Sequence, residues 1–176
     1  MAAYAVGDAR AFEELVSRYR ARVFGFLRRL VNNDELAEDA LMETLLKVHR
    51  SAHNYQPRGT FKAWLFHIAY REGVDVLHHH RKHQGSAAAT ELERAASRAA
   101  SPEALAIDTQ RLARVDHVLR LLPETQRAAF LLYYGEGLET PAIARALDIT
   151  GSSVRSYLTL ARQALRVSAE PLGEEA

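Results

Sequence analysis

Three groups of charged and hydrogen-bonding side chains stand out by type and spacing. Residues 34–43 carry Asp34, Glu35, Glu38, Asp39 and Glu43 with no basic residue among them. Positions 78–83 read His-His-His-Arg-Lys-His. Residues 151–168 carry Arg155, Arg162 and Arg166 with no acid. The formal net charge is only +1, so the charges are segregated along the chain. A molecule with one acidic face and two separate basic ones can engage a basic protein surface and a polyanion together. Solvated helix faces carry charge as well, so the pattern by itself does not choose between the two readings.

Catalysis finds little to work with. Asp39 and the histidines make no set of nucleophile, base and orienting group, and no glycine-rich loop could cradle a phosphate. The chain has no Cys, which rules out a disulfide framework, a thiolate metal site and a thiol switch within it. His79 and His83 are one helical turn apart and could share an ion. Adjacent histidines point to different helix faces, however, and no acid or Cys completes a ligand set, so neither a metal nor a cofactor is expected. Residues 1–8 have neither a basic n-region nor a long apolar core. Nothing approaches the roughly 18 unbroken apolar residues of a membrane span. A cytoplasmic protein without membrane insertion is expected.

Gly and Pro are sparse, and the apolar residues recur at helical rather than alternating steps, so the fold should be all-α. Asp8 is a good N-cap for a first helix reaching about Val31, with Phe12, Leu15, Val16, Tyr19, Val23, Phe26, Leu27 and Leu30 on one stripe. Asn32-Asn33-Asp34 breaks it. A second helix turns Leu36, Ala37, Ala40, Leu41, Leu45 and Val48 inward and its acids outward. Pro57 and Gly59 punctuate a loop, and Thr60 caps a third helix whose stripe is Phe61, Trp64, Leu65, Ile68, Ala69 and Val76. Three such helices can share one core.

From Gln84 to about Ser101 large apolar residues give way to Ala, Ser and Gly, as in a flexible tether; a continuous helix joining the halves is the alternative. Beyond it, Leu105, Leu112, Val115, Val118, Leu119 and Leu122 line a helix ending before Pro123, and Ala128, Ala129, Leu131 and Leu132 continue the core. Thr140-Pro141 reads as a cap with proline in the first turn. A short helix with Ile143, Ala144 and Leu147, a turn at 148–151, and a longer helix with Val154, Tyr157, Leu158, Ala161 and Leu165 make a helix-turn-helix.

Ala37-Glu38-Asp39-Ala40-Leu41-Met42-Glu43, Phe61-Lys62-Ala63-Trp64-Leu65-Phe66-His67-Ile68-Ala69 and Asp75-Val76-Leu77 resemble region 2 of bacterial sigma factors. Leu122-Pro123-Glu124-Thr125-Gln126-Arg127, Gly137-Leu138, the run from Ile143 to Ile149 and Ser153-Val154-Arg155-Ser156 resemble region 4. The order and the linker match the extracytoplasmic-function group, and the resemblance covers nearly the whole chain. It implies two small helical domains on a flexible linker: 1–83, a three-helix region 2 that binds polymerase core and melts the minus-10 motif; 84–104, the linker; 105–170, region 4; and 171–176, a tail. The implied function is promoter-specific transcription initiation, with core RNA polymerase (clamp helices of the largest subunit, and the flap), double- and single-stranded promoter DNA, and an anti-sigma factor as partners.

The resemblance further implies roles for single residues. Asp39, Leu41, Met42, Glu43 and Leu46 would dock on core. Asn54, Tyr55, Arg58, Lys62, Arg71, His78, Arg81 and Lys82 would take the minus-10 DNA, where stacking faces and backbone cations are needed. Ser152, Ser153, Arg155, Ser156, Thr159 and Arg162 would enter the major groove at minus-35, with Arg155 suited to guanine. Trp64 fits core better than a stacking wedge. Met42, Leu45, Tyr70-Arg71, His78, Tyr157 and Leu160 depart from the family's usual residues. The rival reading is a helix-turn-helix regulator working without polymerase.

Overall fold

The computed structural model describes residues 9–52, 55, 59–84 and 106–169. Asp8 and most of the 84–104 linker, with the tether expected there, lie outside the described residues, as does the 171–176 tail. Seven α-helices are described: α1 Ala9–Val31, α2 Asp34–Arg50, α3 Phe61–Gln84, α4 Ala106–Leu121, α5 Glu124–Phe130, α6 Thr140–Leu147 and α7 Gly151–Ala169. One π-helical turn, Leu131–Gly135, prolongs α5. The described residues contain no strand.

The paired asparagines each do one job. Asn32 takes a left-handed backbone (φ 54) that ends α1, with its N–H on the Arg28 carbonyl. Asn33 then caps α2, its side chain accepting from the Leu36 N–H at 3.0 Å. Thr60 caps α3 in the same way, accepting from the Ala63 N–H at 3.2 Å. At α6 the cap is Glu139 rather than Thr140: the helix starts one residue earlier than expected, Glu139 makes no side-chain capping bond, and Pro141 still sits in the first turn.

Helices α1, α2 and α3 bury Val23, Leu27, Leu30, Ala37, Ala40, Phe66 and Ala69 completely, with Phe26 edge-on to Phe66 at 5.3 Å. Gly73 is the point where α3 comes closest to α1. A Cβ there would lie 2.9 Å from Leu30 Cδ2 and 3.0 Å from Leu27 Cδ2. Gly73→Ala should therefore cost about 1 kcal/mol in urea melts, because overpacking of about 1–3 kcal/mol is only partly offset by the helix preference of alanine.

The second unit closes on Leu119, Ala128, Leu132, Ile143, Val154 and Leu158. Asp148, also left-handed (φ 55), turns α6 into α7, and the Thr150 hydroxyl caps α7 by accepting from the Ser153 N–H at 3.1 Å. The two units do not stay apart. Their buried apolar residues form one continuous cluster. Arg127, at the end of α5, donates to the Leu30 carbonyl of α1 at 2.7 Å and to the Arg120 and Leu122 carbonyls at the end of α4 at 2.9 and 3.0 Å. A single buried guanidinium thus satisfies the C-terminal carbonyls of two helices, one from each unit, where helix dipoles favour a cation. Burial pushes its pKa down and the Glu124 charge opposes this; the guanidinium stays charged in any event.

Candidate functional site

The outward face of α2 is a ridge. Glu35, Asp39, Met42 and Leu46 follow one another at steps of four, three and four residues, with Glu38 and Glu43 flanking, and all six are exposed. Met42 is 60% exposed although its neighbours across the helix are core. The ridge is acidic at its start and apolar at its end. Leu41 does not belong to it. Its side chain is only 6% exposed within the core cluster, because one residue along a helix is a 100° rotation and that places Leu41 on the inner face. Of the expected docking residues, Asp39, Met42, Glu43 and Leu46 lie together on the surface.

On α3 the expected minus-10 residues divide into two sets. Arg71, His78 and Lys82 are exposed. Lys62 and Arg81 are engaged by the second unit. The Lys62 ammonium donates to the backbone carbonyl of Glu136 and lies 3.2 Å from its carboxylate, which Arg22 also approaches at 2.9 Å. Arg81 pairs with Glu124 at 2.5 Å. Burial raises the Glu124 pKa, but the hydrogen bond from Arg81, the backbone, and the charges of Arg81 and Arg127 outweigh it, so the carboxyl titrates below its ordinary value.

Asn54 and Arg58 lie outside the described residues. Tyr55 packs edge-on to Trp64 at 4.8 Å and sits 6.1 Å from Phe61; burial raises its pKa. Trp64 is half-buried in this aromatic group rather than a free wedge. The rings of His79 and His83 stand 4.2 Å apart, and no group of three or more potential metal ligands occurs among the described residues.

On α7, Ser152, Arg155, Ser156, Thr159 and Arg162 are exposed and Ser153 is half-buried. Arg155, Thr159, Arg162 and Arg166 form one stripe at steps of four, three and four. Ser152 and Ser153 bond the Thr150 hydroxyl at 2.8 Å each, and Thr159 donates to the Arg155 carbonyl at 3.0 Å. Sequence reasoning missed Tyr134. Its hydroxyl accepts from Arg162 Nε at 2.7 Å, and Arg162 is exposed. The signal was an exposed aromatic pair, Tyr133-Tyr134, preceding a turn.

A cleft of about 720 Å³ lies between the end of α1 and α4 and is lined by Arg28, Arg29, Asn32, Asp34, Asp116 and Arg120 among others. It pairs charges, with Arg29 3.5 Å from Asp116, and holds no nucleophile with a base. No helix among the described residues is long and apolar enough to cross a membrane.

Helices α1 to α3 with an acidic ridge, followed by a helix-turn-helix unit, are the two conserved regions of a sigma-70-type protein. The family models agree: sigma-70 region 2 matches residues 15–85 and sigma-70 region 4 matches residues 112–165. The chain is 30% identical over 177 residues to the ECF RNA polymerase sigma-E factor of Haemophilus influenzae, covering 94% of this chain and 91% of that one. It is 34% identical to the ECF RNA polymerase sigma factor SigE of Mycolicibacterium smegmatis over 165 residues, which are 92% of this chain but 64% of that relative's length. It belongs to the extracytoplasmic-function sigma factors. The same fold occurs in the sigma factor RpoE of Bartonella quintana, solved with the anti-sigma factor NepR, at TM-score 0.70 and 20% identity over 91% of this chain and 97% of that one. CnrH, solved with the cytosolic domain of CnrY, gives TM-score 0.68 at 23% identity over 94% and 92%. The family is not an enzyme family.

Proposed function

We propose that this chain binds RNA polymerase core and directs initiation at a specific set of promoters, without a catalytic step of its own and under the control of an anti-sigma factor. The observation that carries this reading is the pairing, on one chain, of an acidic ridge with exposed apolar tips and a helix-turn-helix whose reading helix is acid-free and Arg-lined. The ridge suits a basic, partly apolar helical surface on core: Met42 and Leu46 bring apolar area, while Asp39 and Glu43 give charge complementarity. Residues 1–83 act as region 2, 84–104 as linker and 105–170 as region 4. A helix-turn-helix regulator independent of polymerase would have no use for the ridge. The deciding experiment is transcription with purified core: run-off product from a promoter mapped by overexpression, dependent on added chain.

Within that reading, Arg155 contacts a base of the minus-35 motif and Arg162, held by Tyr134, contacts a phosphate. Arg155→Ala should reduce use of promoters with an intact minus-35 motif by roughly 10-fold, since a bidentate base contact is worth about 1–3 kcal/mol. Tyr134→Phe should weaken duplex binding only a few-fold and equally across sequences, with a shallower salt dependence. Unchanged promoter preference in the first variant, or altered preference in the second, would reverse these roles.

A further inference from the structure

We infer that Leu160 is a specificity-determining residue of this chain: it reads the C5-methyl group of a thymine in the minus-35 motif, a short way along the groove from the base that Arg155 reads. This rests on the reading of α7 as the major-groove helix. Leu160 is the tenth residue of α7 and is 47% exposed. Its side chain has no donor or acceptor, so apolar area is all it can offer a base edge.

The rotation of α7 places it on the reading face. Val154, Leu158 and Ala161 are buried and define the inner side. At about 100° per residue the opposite side is centred on Ser152, Ser156 and Gln163, all exposed. The cations stand on one flank of that centre. Arg155, Arg162 and Arg166 lie within about 40° of one another, and no other Lys or Arg occurs between 151 and 168. Leu160 stands on the other flank, about 40° from Ser156 and about 140° from Arg155. The reading face is thus divided along its length, cationic on one side and apolar on the other. Tyr157 does not share the apolar role, because it is half-buried and packs against the core. Val167 is exposed, but it lies about 10 Å further along the helix, beyond the N-terminal stretch that meets base edges.

Base chemistry fixes what Leu160 accepts. In the major groove the one apolar group on a base edge is the methyl of thymine, and the remaining groups are donors and acceptors. Against guanine, adenine or cytosine a leucine would leave those groups unpaired in a site closed to water, which costs more than the apolar contact gives. Against thymine it covers the methyl. Five helical positions separate Leu160 from Arg155, roughly 7.5 Å, so the thymine lies about two base pairs from the guanine at about 3.4 Å per pair. Thr159 also carries a methyl group, but it stands on the cationic side of the centre, with its hydroxyl returned to the Arg155 carbonyl at 3.0 Å.

The test is transcription by core polymerase with the full chain, on promoters selected from templates randomised over the minus-35 motif. Each thymine of the selected motif is then replaced in turn by uracil, which removes the methyl and nothing else. Arg155→Ala locates the guanine, as the pair whose substitution that variant no longer feels. At one thymine, about two pairs away, uracil should lower promoter use about four-fold, the effect of one methyl taken out of water. Leu160→Ala should make thymine and uracil equivalent there while keeping the guanine preference, and Thr159→Ser should keep the four-fold ratio. The contact is uncharged, so the ratio should hold as salt rises although total binding falls. The fold should tolerate Leu160→Ala, since the site is exposed and alanine favours helix.

A selected motif without thymine, a ratio near one in the unaltered chain, or a ratio that survives Leu160→Ala overturns the inference. So does a ratio abolished by Thr159→Ser, or a loss in Leu160→Ala that is uniform across minus-35 sequences, the mark of a protein contact. Transcripts without a methyl effect refute the role of Leu160 and leave the sigma factor reading intact. Absence of any core-dependent transcript overturns that reading and this inference with it.

Discussion

Asp39→Lys with Glu43→Lys is expected to weaken association with core polymerase roughly 100-fold, about 2.8 kcal/mol at 1.4 kcal/mol per factor of ten. Reversal turns two attractions into two repulsions, which discriminates more sharply than deletion. The fold should not notice. Both residues are exposed, and no ion pair involving either occurs among the described residues. They stand at i and i+4, like-charged before and after the change, so repulsion within α2 is preserved. Thermal melts should superimpose while core binding, measured by fluorescence anisotropy at two salt concentrations, collapses and loses its salt dependence. Equal core affinity in the variant would end the docking assignment. Met42→Ala should act more mildly, through lost apolar area alone.

Arg127→Ala should have the largest effect on stability, a loss of about 2–3 kcal/mol in urea melts, because carbonyls at the ends of α1 and α4 lose their donor in a buried site. The loss is not larger because Arg127 carries a cost of its own: the residue is 7% exposed and its Nε has no acceptor among the described residues. Arg127→Lys should recover only a minor part, since one ammonium cannot reach carbonyls on two helices at once. A change below about 0.5 kcal/mol, the size of an ordinary surface substitution, would show that water replaces the guanidinium without penalty.

The seven helices were legible because their apolar stripes are long and their punctuation is explicit. Asn32-Asn33, Thr60, Pro123 and Asp148 each mark an end by a backbone preference or a side-chain cap. The acidic ridge and the Arg-lined stripe of α7 were legible for the same reason, since exposed charge follows helical period. Leu41 shows the limit of that arithmetic. It sits one residue from Met42 and the two differ by burial at 6% against 60%, a distinction that depends on helix rotation rather than residue type. The packing of one unit on the other was not legible. Three of its polar contacts run to backbone carbonyls, those of Leu30, Ala146 and Glu136, and a carbonyl leaves no mark on a sequence. Lys62 and Arg81 were rightly picked as cations, but nothing in their neighbourhood signalled that Glu136 and Glu124, more than forty positions away, would claim them.

The π-helical turn after α5 bears on that pairing. The Glu136 N–H reaches back to the Leu131 carbonyl, five residues earlier, and Leu138 reaches Leu132. One surplus residue in a turn shifts the phase of everything after it by about 100°, the rotation of a single α-helical step. Removing one position from Leu131–Gly135 would restore ordinary pitch and swing Glu136 off its two cations while leaving α6 and α7 intact as a reading unit. In this short segment the number of residues therefore counts for more than their identity, and a change of length there would release the Glu136 pairing without touching the α5 contacts that Arg127 and Glu124 make with the first unit.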